Sequence, residues 1–386
     1  MKHDRIYRVL GMLILAISFI HPAAAAGQDA SPEATPVPGV DIIANGLTNP
    51  RGLTWAPDGS LYLAQAGSGG STRVGSTQFY GGETSSIVAV ADGCTTPVAE
   101  GFPSTYWQQR KWVWGVMDIA FLDGELYALH SGGEQGWHFP ETPNGIYRVK
   151  DDGTWVLVAD LASWFKTNFP KNPPDDFDRN GSLFDMEAGD GRLWVTESNG
   201  GRLLTVTPDG AITLVADLSA QERTPTGLAL DGKGGAYIGY LTVISYQNGT
   251  SKVVHVDAKG VVSDQWTGLT AVNDVVLGPD GTLYAVEMGT GNPEESPFIN
   301  PDSGQIVHQT GPDSSETVAT DIPYPVMMGF RDDGTLYVAG PAFGPDRNEG
   351  RGWLVRVVPG ESPVSLAGIG DAPPTCAGQT SAGRAA

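Results

Sequence analysis

Positive charge is scarce in this chain. Lys and Arg number 23 against 44 Asp and Glu, a formal net charge of −21 at pH 7. Nucleic acids and anionic membrane surfaces are recognised through basic faces, so neither is expected as a partner. Cysteine is scarcer still, with Cys94 and Cys376 alone. Two cysteines cannot build an all-cysteine zinc site or a disulfide-dense scaffold. Beyond the N-terminus, no run of about 18 apolar residues occurs, so no membrane span is expected once that segment is removed. The chain also lacks a GxSxG elbow, an HExxH pair and a CxxC pair, which leaves no catalytic nucleophile or zinc helix in view.

What is plentiful is glycine and proline, 52 and 28 of 386 residues, beside 40% hydrophobic residues. Gly and Pro are the poorest helix formers, which argues against a helical bundle. The apolar content is too high for disorder. A large core joined by many tight turns meets both conditions.

The first 26 residues read as an export signal. Lys2, Arg5 and Arg8 precede the apolar run VLGMLILAISFI (9–20), and Ala23–Ala26 supply small residues for cleavage. Residues 27–39 read as a flexible tether and 373–386 as a flexible tail. The expected location is therefore secreted or extracytoplasmic. In an oxidising compartment an even cysteine count favours a Cys94–Cys376 bridge, with two free buried thiols as the alternative.

Internal repetition dominates residues 40–372. A DG- or GG-turn followed by Leu or Ala, an aromatic and apolar residues occurs six times: PDGSLYLAQ, LDGELYALH, GDGRLWVTE, GKGGAYIGY, PDGTLYAVE and DDGTLYVAG. Its aromatic is Tyr62, Tyr127, Trp194, Tyr237, Tyr284 and Tyr337 in turn. Each copy but the last carries four short runs of period-2 alternation bounded by turn residues, the signature of antiparallel strands. Six copies of four strands predict an all-β fold, a six-bladed β-propeller. The last copy lacks a fourth strand, whereas VDIIANGL at 40–47 stands alone before the first. It is expected to complete the last blade and close the ring, removing open edges.

Alignment on the turns places Gly52, Asp118, Asp185, Gly227, Asp274 and Met327 at the start of the six innermost strands. Gln65, His130, Glu197, Tyr240, Glu287 and Gly340 fall at the ends of the second strands, on the same face. The reading brings Asp118, Asp185, Asp274, Glu197 and Glu287 to one channel mouth with Arg51, Gln65, His130, Tyr240 and Asn273. Crowded carboxylates require a cation, a shared proton or a polar ligand, and hard oxygen ligands suit Ca2+ or another divalent cation. The competing expectation is that these aspartates cap backbone amides of neighbouring strands.

A second candidate is DFDRNGSLFDME at 176–187. Asp176, Asp178, Asn180 and Glu187 occupy positions 1, 3, 5 and 12 of a Ca2+ loop. Pro173 and Pro174 exclude the usual preceding helix. Asp185 and Glu187 belong to both candidates and share one face of a strand, because side chains alternate.

Two insertions, 101–115 and 163–181, carry Trp107, Trp112 and Trp164 among other aromatics. They suit either a stacking platform for a sugar or other small molecule, or a small core that pins long loops. His138 in EQGWHFPE reads as structural. The Gly-rich AGSGGSTRVGS (66–76) lacks GK[ST] and reads as a long turn.

These repeats resemble NHL-type propellers. In the order of NPRGLTWAPDGSLYLAQAGSGG, FDMEAGDGRLWVTESNGGRLLTVTPDG, PTGLALDGKGGAYIG and NDVVLGPDGTLYAVEMGTGN, and in the acidic insertion before the third blade, the chain is similar to the ScyD/ScyE family. That resemblance implies an exported propeller without established catalytic residues. Gluconolactonases look related and hold a metal at the mouth through Glu, Asn and Asp. Here Asn273 and Asp274 match, whereas Arg51-Gly52 stand where those enzymes place the first glutamate. The functional expectation is an exported binding or scaffold propeller with a cation at its mouth. The alternative is a metal-dependent lactonase-like enzyme. Oligomeric state is not legible.

Overall fold

The computed structural model describes residues 39–74, 78–132, 139–221, 224–242, 244–295, 298–342, 349–360 and 362–372, together with Cys376. The expected signal, all of the tether but Gly39, His138 and the tail apart from Cys376 lie outside the described residues.

Local turn chemistry sets the repeat. In blades two and three the hairpin turn is Asp-Gly with both residues at positive φ, 52° and 84° at Asp123-Gly124 and 54° and 69° at Asp190-Gly191. That is the backbone a two-residue hairpin demands, and Asp and Gly adopt it with little strain. Blades one, five and six use a longer Asp-Gly turn. There Asp58, Asp280 and Asp333 accept the amide two residues on, from Ser60, Thr282 and Thr335, at 2.9–3.0 Å.

Six sheets of antiparallel strands result. The innermost strands are Pro50–Trp55, Val116–Leu122, Leu183–Gly189, Pro225–Leu230, Val272–Leu277 and Met327–Phe330. Each touches the innermost strand of the next blade, and the sixth touches the first, so the ring is closed. The chain is a six-bladed β-propeller. Val40–Leu47 pairs antiparallel with Gly352–Val357, from Val40 opposite Val357 to Leu47 opposite Gly352. The first and last segments of the propeller are thereby fastened in one sheet, as the orphan strand implied.

Packing between blades repeats as well. The residue three past the start of each innermost strand packs toward the repeat aromatic of the preceding blade. Phe121 meets Tyr62, Phe330 meets Tyr284 and Trp55 meets Tyr337, at ring-centroid distances of 5.3, 4.8 and 5.4 Å in edge-to-face geometry. Such contacts add to the plain burial of the rings. In the other three joints Ala188, Leu230 and Leu277 share a core cluster with Tyr127, Trp194 and Tyr237.

Three connections go beyond the repeat pattern. The 101–115 insertion is largely strand. Strand Cys94–Trp107 runs on past the blade, pairs with Phe79–Ala91 and turns back as Trp112–Trp114, making a ribbon above blade one. The Gly-rich 66–70 segment packs under that ribbon. Gly70 lies against Gly82, where a Cβ would stand 2.7 Å from the facing backbone. Finally, Val364–Ser365 adds a parallel strand to the outer edge of blade five, beyond the four-strand pattern. Cys94 and Cys376 form a disulfide spanning 282 residues of sequence.

Candidate ligand site in the central channel

An innermost strand is an edge strand, so its amides face the channel without ladder partners. The aspartates answer that need. Asp118 accepts the amide of its own successor, Ile119, and that of Met186 in the next blade, at 2.8 and 2.7 Å. Asp185 accepts Met186 and, across the next joint, Leu228. Asp274 accepts Val275 and, across the next joint, Met328. Three side chains thus satisfy amides on five blades, which matches the capping expectation. The glycines at Gly52 and Gly227 make room for them. A Cβ on Gly52 would fall 1.5 Å from Asp118 Oδ1, and one on Gly227 would fall 2.6 Å from Asp274 Oδ1.

The position favours protonation of these carboxyls. Burial holds Asp118 well above the usual carboxylate range, reinforced by the charge of Asp185 and by a hydrogen bond between the two side chains. Asp185 is raised by burial. Asp274 is raised by burial and by the charges of Asp185 and Glu187.

One layer deeper, Glu187 projects from the same strand face as Asp185 and lines the same cavity. Burial and the charge of Asp185 push its carboxyl up to about 8. At the mouth, the buried Arg51 guanidinium donates to the carbonyls of Pro50, Val113 and Ala342 at 2.9, 3.2 and 3.4 Å. Desolvation lowers it to about 10. Asn273 donates to Val326 O at 3.1 Å, bridging blades five and six. Trp112 and Trp114 form part of the wall, their rings 5.9 Å apart. The cavity holds about 580 Å³ and extends down the channel to Trp55, Phe121 and Phe330.

The ends of the second strands do not join this cavity. Gln65, Glu197 and Glu287 face Ser86, Arg202 and Gln305 across the next strand and bond to them. Each also accepts an amide from the segment leading into its own blade, of Thr48, Ser182 and Thr270. These three positions tie each blade's lead-in to its third strand. Glu197 further accepts the amides of Asn199 and Gly200, and Arg202 pairs with it at 2.9 Å. His130 is buried outside the mouth. Its Nε2 lies 3.0 Å from Pro103 O and its ring stacks near Phe102; burial lowers it to about 4. Tyr240 is fully buried within the core shared by blades three and four, and desolvation raises it.

The insertions are mostly self-packed. Trp107 stacks in the ribbon with Trp114 and lies outside the cavity lining. Trp164 sits in a short helix, Leu161–Phe165, against the core of blades two and three. Arg202 lies 4.0 Å over the Phe165 ring and donates to Asn168 O, so it pins the second insertion.

The twelve-residue Ca2+ pattern is split by the fold. Asp178 accepts Asn180 N and Nδ2 and donates its amide to Asn199 Oδ1, while Asn199 Nδ2 donates to Asp176 O. Asp185 and Glu187 belong to the channel. Among the described residues, no group of three or more His, Cys, Asp or Glu side chains is arranged to hold a metal ion. The set expected for one ion does not fit it, because Glu197 and Glu287 are committed elsewhere and the three aspartates turn to amides.

A channel capped by aspartates, with a walled cavity at one mouth, defines a six-bladed propeller with one central pocket. No family model matches the chain. Virginiamycin B lyase of Nocardia farcinica is 22% identical over 241 residues, spanning 61% of this chain and 76% of that protein. The PQQ-bound aldose sugar dehydrogenase of Streptomyces coelicolor superposes with a TM-score of 0.51 at 12% identity, over 83% of this chain and 99% of that one. A gluconolactonase of Xanthomonas campestris gives 0.50 at 11% identity, over 83% and 89%. The likeness is one of fold, a propeller of the NHL-like type.

Proposed function

We propose that this chain works outside the cytoplasm as a propeller that binds a small organic molecule in its central channel, in keeping with an exported ScyD/ScyE-like protein. The observation that carries this reading is the cavity. Its volume of about 580 Å³ falls within the usual range for small-molecule sites, and it joins an aromatic wall at Trp112 and Trp114 to Arg51, Asn273 and Glu187. The extracytoplasmic part rests on the N-terminal signal pattern and on the Cys94–Cys376 bridge.

A carbohydrate is one candidate ligand, since aromatic walls stack on sugar rings. The lactonase-like alternative draws on the gluconolactonase likeness and on Asn273-Asp274. Against it stand the committed Glu197 and Glu287 and the Arg51-Gly52 pair. The test is tryptophan emission of the mature protein during titration with a panel of sugars, lactones and small aromatics. A ligand that quenches emission in the wild type and loses affinity at least tenfold in Trp112→Ala supports the channel site. Binding that ignores this substitution removes it, and lactone turnover would favour the enzyme.

A further inference from the structure

We propose that the channel cavity selects an organic ammonium ion, held by the carboxylate of Glu187. This rests on the channel-binding reading above and names the ligand class. The second channel-facing layer of the six innermost strands is Thr54, Ala120, Glu187, Ala229, Val276 and Gly329, all lining the cavity. Glu187 is the ionisable member of that ring. It differs from the aspartates above it in one respect. Asp118, Asp185 and Asp274 each satisfy two edge amides, whereas Glu187 accepts no hydrogen bond among the described residues. A carboxyl inside a cavity with no protein donor lacks the hydrogen bonds that a buried charge needs. An alkylammonium supplies both donors and charge.

Two further features point to a cation rather than an anion or a neutral group. The single guanidinium of the cavity lining, that of Arg51, is already engaged by three carbonyls, and the aspartates are turned to amides, which leaves Glu187 as the uncommitted ionisable group of the lining. Trp112 and Trp114 line the same cavity, and aromatic rings attract organic cations. The elevation of Glu187 to about 8 by burial and by Asp185 is what an unpaired acid in this position shows. A bound ammonium reverses that elevation by supplying the opposite charge.

The experiment is calorimetric titration of the mature protein at pH 8 with 2-phenylethylamine, 2-phenylethanol and phenylacetate, three probes of one shape and different charge. The amine is expected to bind at least tenfold more tightly than the alcohol, with phenylacetate weakest. Glu187→Gln is expected to erase that preference, so that amine and alcohol bind the variant within twofold of one another. The Glu187 side chain accepts no hydrogen bond among the described residues, so this variant is expected to keep the fold, which circular dichroism checks. If the preference survives in Glu187→Gln, or the amine binds no better than the alcohol, the ammonium assignment is wrong. In that event alcohol binding that is lost in Trp112→Ala keeps the channel-binding reading intact. If none of the three probes binds, the assignment fails together with the reading beneath it.

Discussion

Asp118 of the second blade and Asp185 of the third meet on one backbone amide, that of Met186, each accepting it at 2.7 Å. Burial holds both carboxyls above the usual carboxylate range, and the neighbouring charge of Asp185 raises Asp118 further. An Asn at 118 keeps one acceptor oxygen where Asp118 offers two, to Ile119 N and to Met186 N. Asp118→Asn is therefore expected to cost about 1–2 kcal/mol at pH 6, and Asp118→Ala, which removes both acceptors, about 2–4 kcal/mol. Urea denaturation of the two variants measures the difference.

Glu187 predicts the pH dependence. Its folded value of about 8 lies above the unfolded value near 4.5. Between these, the folded state binds more protons than the unfolded one, so stability is full at low pH and declines as pH rises toward 8. At about 1.4 kcal/mol per unit of elevation, the decline is a few kcal/mol in total. Glu187→Gln should flatten this part of the profile between pH 5 and 8. Denaturant midpoints at half-unit pH steps in both proteins provide the check.

Arg202 and Glu197 are both fully buried and paired. Removing one partner leaves a buried charge alone, so Arg202→Ala is expected to cost about 3–5 kcal/mol. It also frees the second insertion, since the guanidinium covers Phe165 and holds Asn168 O. The double variant Glu197→Gln/Arg202→Met should recover more than half of that loss. Proteolysis near residues 163–181, followed by mass spectrometry, should report loosening in Arg202→Ala.

The Cys94–Cys376 bridge closes a long loop. Cross-links of that length stabilise by about 2–5 kcal/mol through the unfolded ensemble. Cys94→Ser should lower thermal stability by that amount, and a reducing agent should lower the wild type to the same level while leaving the variant unchanged. Equal melting of wild type and variant without reductant would contradict the bridge.

Much of the ring was legible because each signal was local or repeated. The Asp-Gly turns, the alternation and the six aromatics announce four-stranded blades, and a lone strand before the first repeat matches a gap in the last. The start-of-strand alignment found Asp118, Asp185 and Asp274 together, and the capping alternative was already in view. Less was legible at the second-strand ends. Alternation says which face of a strand Glu197 and Glu287 occupy, but not whether that face opens on the channel or on a neighbouring strand. The signal available was Arg202, five residues after Glu197 and within hairpin reach of it. His130 was misplaced at the mouth for the same reason, and the 101–115 ribbon was hidden because tryptophans and glutamines carry no strict period.

By itself the sequence determined the number of blades, the turn chemistry and the closing strand, since each depends on spacing along the chain, and with two cysteines it allowed one bridge without deciding that it forms. Tertiary structure alone decided which carboxyls are engaged and which are free. An aspartate at the start of an inner strand bonds amides that are distant in sequence, 68 residues away for Asp118 and Met186. Glu187 differs from Asp185 only by sitting one layer deeper, where no amide turns toward it. The amides of Met186 and, across the joint, Leu228 fall within reach of Asp185, and no described amide falls within reach of the Glu187 carboxyl.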